Sequence, residues 1–71
     1  MTETITASFE SFNAAQNTVD DLLATGIDSE KVYLDDKTPL VKVMVPNTIK
    51  PEIMEILKRH QPSQLNETPV S

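Results

Sequence analysis

The sequence predicts a small α+β domain, and three observations carry that prediction. Ile5, Ala7 and Phe9 alternate with Thr4, Thr6 and Ser8, and Val41, Val43 and Val45 alternate with Leu40, Lys42 and Met44. Both runs have the period of two expected of a strand with one buried face. Between and after them, apolar residues recur at spacings of three and four, the period of an amphipathic helix. One such stripe is Phe12, Ala15, Val19, Leu22, Leu23 and Gly26, and the other is Ile49, Ile53, Ile56 and Leu57.

Each element has its own start and stop. Ser11 is placed to cap the first helix, its hydroxyl accepting from a free N–H of the first turn. Gly26, the only glycine, stands just beyond the last apolar turn, where it can adopt the left-handed backbone that closes a helix. Ile27 can then fold back onto the stripe. Asp28 can cap a single turn through Lys31. Val32 and Leu34, alternating with Tyr33, make a second short strand, and the polar turn Asp35–Pro39 joins it to the strand Leu40–Val45 as a hairpin. Pro46 ends that strand. Asn47 or Thr48 is a candidate cap for the second helix, and Pro51 is tolerated because it falls in the first helical turn. Glu52 and Glu55 near its start, and Lys58, Arg59 and His60 in its last turn, match the helix macrodipole. Glu55 and Arg59, four apart, are spaced for an exposed ion pair. The tail from Gln61 onward has two prolines and few apolar residues, and Gln64–Glu67 around Leu65 is a candidate short edge strand.

The order is strand, helix, strand, strand, helix, with a fourth strand at 63–67 as an open addition. Helices with one apolar stripe each, and strands with one apolar face each, pack most economically with both helices against one face of a single antiparallel sheet. The ferredoxin-like βαββα(β) arrangement does this with right-handed crossovers. It places the first strand centrally beside the third, with any fourth strand on its other side. A three-stranded sheet with a free tail is the competing arrangement. Residues 1–67 read as one domain and 68–71 as a flexible C-terminal tail.

Composition narrows the function classes. At 71 residues the chain has room for one small core, near the lower limit of independent folding. Cysteine is absent, which removes disulfides, thiolate metal ligands and thiol nucleophiles together. Against 11 acidic residues stand 6 basic ones, a formal net charge of -5. That balance argues against nucleic acid and against an anionic membrane surface as partners. No apolar run approaches the length of a membrane span, and the N-terminal segment lacks the basic start and apolar core of a signal peptide. The expected location is cytoplasmic.

A resemblance can be stated on these residues. "FESFNAAQNTVDDLLATGI", a hairpin, and then "VKVMVPNTIKPEIMEILKRHQP" resemble the small bacterial heat-induced general-stress family across residues 5 to 67. The matching positions are Phe9, Ala15, Leu22, Gly26, Ile27, Ile56, Leu57 and His60. The chain departs from the pattern at Gln61, where the family usually carries glycine at the turn into the fourth strand. The resemblance implies a ferredoxin-like α+β domain with a link to stress, and it carries over no catalytic residue.

Candidate chemical sites are few. His60 is the sole histidine. A metal site needs several ligands, those on a helix usually four apart, and Ile56, Leu57 and Gln64 do not supply them. A general base needs a nucleophile and an orienting partner, and no such constellation can be read. His60 therefore reads as a helix-terminal residue over the last carbonyls. Asp20 and Asp21 point about 100° apart on a helix and are no ready carboxylate dyad. Asp35 and Asp36 lack EF-hand spacing. Both pairs read as solvated surface. A phosphate-cradling loop needs more than one glycine. Neither a catalytic residue, nor a metal, nor a cofactor is expected.

What remains is the sheet face turned away from the helices. If Val41, Val43 and Val45 point inward, Leu40, Lys42 and Met44 point outward, with Tyr33 beside them on the neighbouring strand. These four residues are the expected interaction surface. The expected function is a non-enzymatic binding or regulatory protein that self-associates, as a homodimer or with another protein, through the sheet face or edge. The alternative is a small-ligand-binding or enzymatic domain of the same fold whose site forms between subunits.

Overall fold

The structure is a computed structural model that describes the backbone of residues 2–70 and the side chains of residues 3–67. Its elements run β1 (Thr2–Ser8), α1 (Phe12–Ala24), a single 3-10 turn (Ser29–Lys31), β2 (Val32–Leu34), β3 (Leu40–Pro46), α2 (Lys50–Arg59) and β4 (Gln64–Val70). The four strands form one antiparallel sheet in the order β2-β3-β1-β4. β1 is thus central, with Ile5 opposite Val43 on one side and opposite Glu67 on the other.

Alternation in β1 and β3 decides which side of the sheet is covered. Ile5, Ala7, Val41, Val43 and Val45 are fully buried, and they share one cluster with Ala15, Val19 and Leu22 of α1 and Ile53, Ile56 and Leu57 of α2. Both helices therefore cover the same face, and the other face is open. Burying each Val, Ile or Leu side chain of this cluster contributes about 2 kcal/mol. Phe9, just past β1, is buried as well, and its N–H donates to the Pro39 carbonyl at 2.8 Å, fastening the end of β1 to the hairpin.

Helix α1 begins where Ser11 places it, with the Ser11 hydroxyl accepting from the Ala14 N–H at 3.1 Å. Its buried stripe is rotated from the one the sequence suggests. Ala15, Thr18, Val19 and Leu22 face inward, whereas Phe12 is 47% and Leu23 39% exposed. Phe12 and Leu23, eleven residues apart, lie within about 20° of each other around the helix, on the same flank at its opposite ends. Ala15, Thr18 and Leu22 are fully buried. Thr18 satisfies its hydroxyl by donating to the Ala14 carbonyl at 2.8 Å.

Helix α2 starts without the expected side-chain cap. Ile49 holds the N-cap position and no side chain accepts from the first turn; Asn47 and Thr48 belong to the preceding turn, closed by the Ile49 N–H on the Pro46 carbonyl at 3.2 Å. Ile49 packs against the core, and that burial sets the helix start one residue beyond the polar candidates. Glu55 and Arg59 do not form the expected pair among the described ion pairs. The 3-10 turn forms after Asp28, whose side chain makes no capping bond. In the hairpin turn, Asp35 accepts from the Lys37 N–H at 2.8 Å and its own N–H donates to the Leu40 carbonyl at 2.9 Å. Asp35 thus has a turn-forming role beyond that of solvated surface.

β4 extends further than the tail's composition suggests. It pairs with β1 from Gln64 opposite Ser8 to Val70 opposite Thr2, three residues past the boundary placed at Glu67. Pro69 is accommodated because β4 is an edge strand, which leaves half of its backbone N–H groups without ladder partners. Ser71 lies outside the described residues. The turn into β4 solves the missing-glycine problem directly: Gln61 takes φ 55 and its N–H donates to the Lys58 carbonyl.

Two backbone positions generate a paired prediction. Gly26 has φ 99, and a Cβ there would meet nothing within 4 Å, so conformation is the sole objection to a side chain. Gly26→Ala is expected to destabilise by about 1 kcal/mol, and Gln61→Gly to stabilise by a similar amount, since each changes the cost of a left-handed residue. Urea unfolding of the two variants measures both. Equal stabilities in both variants and the parent would contradict the assignment.

Candidate functional site: the open sheet face

Strand pairing places the outward side chains in rows. Tyr33, Lys42, Thr6 and Asn66 form one row across all four strands, because Tyr33 pairs with Lys42, Lys42 with Thr6 and Thr6 with Asn66. Leu40, Ser8 and Gln64 form the row on one side, and Met44, Thr4 and the Thr68 position the row on the other. The four residues predicted from sequence are therefore brought together: Leu40, Lys42 and Met44 run up β3 and Tyr33 stands beside Lys42 on β2. Tyr33 is 55% and Met44 42% exposed, Lys42 is exposed and Leu40 half-buried.

The sequence reading missed the other half of the face. Thr4, Thr6 and Ser8 on β1, with Gln64 and Asn66 on β4, extend it as a surface of hydroxyls and amides. Their alternation with Ile5 and Ala7 is visible in the sequence, but only the strand order puts them beside Lys42. The face is thus divided, apolar and aromatic over β2 and β3, small and polar over β1 and β4.

Charge is distributed unevenly about the sheet. None of the 11 carboxylates occupies an outward strand position. Glu3 and Glu67, the two acidic strand residues, share the parity of Ile5 and face the helix layer, where both meet Lys50 of α2. The remaining acids lie in helices, turns and loops. Lys42 is the one charged residue at an outward position among the described strand residues.

Lys50 holds Glu3 of β1 at 2.9 Å and Glu67 of β4, so one ammonium links the start of α2 to the central strand and to the edge strand. Hydrogen bonding to Glu67, and next to Glu3, raises its pKa above the ordinary lysine value, with desolvation pulling the other way. The three side chains keep 21% to 41% of their surface in solvent, so screening limits what the cluster contributes.

His60 has a role different from the one expected. Its Nε2 lies 2.7 Å from Asp21 Oδ2, a contact between the end of α2 and the last third of α1. A carboxylate only accepts, so Nε2–H donates. The pair fastens the two helices and accounts for Asp21, while Asp20 accepts from Gln16 on the exposed surface at 3.1 Å. No nucleophile adjoins the pair among the described contacts. Among the described residues no cavity is present, and no group of three or more His, Cys, Asp or Glu side chains converges as a metal site. No helix is long and apolar enough to cross a membrane.

These features define a small α+β domain with an open, nearly uncharged sheet face. No family model, curated protein or solved structure matches the chain.

Two outcomes follow from the paired side chains. In a double-mutant cycle, His60→Ala and Asp21→Ala should couple by about 0.5 kcal/mol, the scale of a half-exposed pair; additive losses would show the contact to be energetically silent. For Lys50 the folded pKa is the raised one, so its stabilisation is complete below the unfolded value of about 10.4 and is lost as pH climbs through the higher folded value. The parent should therefore keep its stability advantage over Lys50→Met from neutral pH up to about 10.4 and lose it as the pH rises further. A difference in melting temperature that stays constant through that further rise would refute the linkage.

Proposed function

We propose that this domain is a non-enzymatic binding module that works through its open sheet face, and that the surface it meets is the same face of a second copy. The supporting observation is the clearance of carboxylates from that face in a chain of net charge -5. Two such chains repel at most approaches. Face to face, they meet where charge density is lowest and keep their acidic helices and loops pointing away from each other.

The row Tyr33–Lys42 is suited to a two-fold arrangement. A two-fold axis over the midpoint of that pair sets each Lys42 ammonium above the partner's Tyr33 ring, a cation–π exchange made twice. Leu40 and Met44 would add apolar contact on either side. The face measures roughly 400 Å², from four strands about 4.8 Å apart and up to seven residues long at about 3.3 Å each. Stable complexes bury about 800 Å² per partner, so the association belongs to the weak, concentration-dependent class suited to a regulatory protein.

The ferredoxin-like arrangement is part of this reading. It is supported by the element order βαββαβ and the strand order with β1 and β3 central, and it is an arrangement that leaves a whole sheet face available to a partner. A cytoplasmic setting is part of this reading, and a stress-linked role is what the resemblance of the sequence suggests.

Sedimentation from micromolar to millimolar concentration tests the proposal. The parent should shift from monomer toward dimer, while Leu40→Asp and Met44→Asp should each remain monomeric with unchanged circular dichroism. A parent that stays monomeric throughout, or a dimer indifferent to both changes, rules out the face as the contact.

A further inference from the structure

In its described part, Gln64–Glu67, β4 places less in the core than β1 or β3 does. It pairs with β1 over seven residues in unbroken register, yet none of its described side chains, Gln64 to Glu67, is buried. Leu65 alone packs against the core, and it is half-buried. By contrast β1 supplies Ile5 and Ala7 to the interior, and β3 supplies Val41, Val43 and Val45. Among the described residues, β4 is held by the ladder to β1, the partly buried Leu65 and the surface pair Glu67–Lys50.

The segment that leads into β4 is short and strained. α2 ends at Arg59, Gln61 is held at φ 55 without being glycine, Pro62 follows, and Ser63 donates its N–H to the Ser8 carbonyl at 2.7 Å as the strand begins. A brief connection under backbone strain favours exchange of the element beyond it. If β4 leaves, β1 presents an open edge seven residues long that matches one sequence by construction, the β4 of another copy.

We propose that β4 exchanges between copies of this chain. Gln64–Val70 of one molecule pairs with β1 of a second, and reciprocally, with Gln61–Ser63 as the hinge and Lys50–Glu67 as the latch. The exchanged dimer remakes the β1–β4 ladder and the latch between chains, so it differs from two closed molecules only in the hinge and in the entropy of association. With the hinge extended, Gln61 no longer needs the left-handed backbone. This exchange uses the sheet edge and does not depend on face-to-face association.

The absence of cysteine allows a direct test. Thr6 and Asn66 are cross-strand partners, so a chain carrying both Thr6→Cys and Asn66→Cys should close on itself under mild oxidation. The decisive sample mixes Thr6→Cys chains with Asn66→Cys chains, both also carrying Met44→Asp so that the open face cannot supply the contact. Unfolded together in urea and refolded at high concentration, they should form the mixed disulfide several-fold above a collision control that pairs Thr6→Cys with Gln16→Cys. In the folded mixture, Glu67→Gln should speed its appearance by opening the latch. Mixed disulfide no greater than the control after joint refolding, while the double-cysteine chain closes normally, overturns the proposal. Ser8→Cys with Gln64→Cys, the adjacent cross-strand pair, gives the same reading should either first variant fail to fold. Exchange without a Met44-sensitive dimer would leave this inference standing and remove the face reading, and the reverse result would do the opposite.

Discussion

Everything in this structure depends on the central position of β1. Its backbone is paired on both edges, to β3 and to β4, and Ile5 and Ala7 lie fully buried beneath the helices. A domain this small has few side chains to place out of water. Most of them converge on the sheet positions that β1 and β3 provide. Both ladders to β1 join residues far apart in sequence, so the first strand gains its partners only when the hairpin and the C-terminal strand arrive. The chain's ends are thereby tied to the same strand.

The same centrality underlies both surfaces on which the proposals rest. With both helices on one face, the Thr4–Thr6–Ser8 side of β1 and its neighbours are left to solvent, and the acids of an acidic chain are placed on the helices, turns and loops. The two acidic strand residues share the parity of Ile5, so they face the helix layer, where Lys50 pairs with both and the open face stays clear of carboxylates. At the sheet's edge, β4 completes the pairing of β1, and of its described side chains only Leu65 packs against the core. That combination of a full ladder and few described core contacts is what the proposed exchange rests on.

Much of the local structure was legible in the sequence. Ser11 caps α1, Gly26 closes it with a positive φ, the hairpin joins the strands containing Tyr33 and Val41, and alternation separates Val43 from Lys42 as expected. These features are decided within a few residues, by backbone preference and by the period of the apolar pattern. The phase of α1 was less legible. A shift of some tens of degrees puts Phe12 and Leu23 on the flank and brings Thr18 inward, where its hydroxyl is satisfied by the Ala14 carbonyl. The start of α2 likewise follows the burial of Ile49 rather than the capping preferences of Asn47 and Thr48.

By itself the sequence determined the element types, the inward side of β1 and β3, and the predominance of negative charge, because periodicity and composition act locally or on the chain as a whole. Tertiary structure alone decided that Thr6 and Asn66 continue the row of Tyr33 and Lys42, that His60 meets Asp21, and that Glu3 and Glu67 share Lys50. Each of these joins residues separated by tens of positions, and their proximity is fixed by strand order and helix placement. The full length of β4 belongs with them. Its polar, proline-containing sequence has little strand character of its own, and the open edge of β1 gives it partners along seven residues.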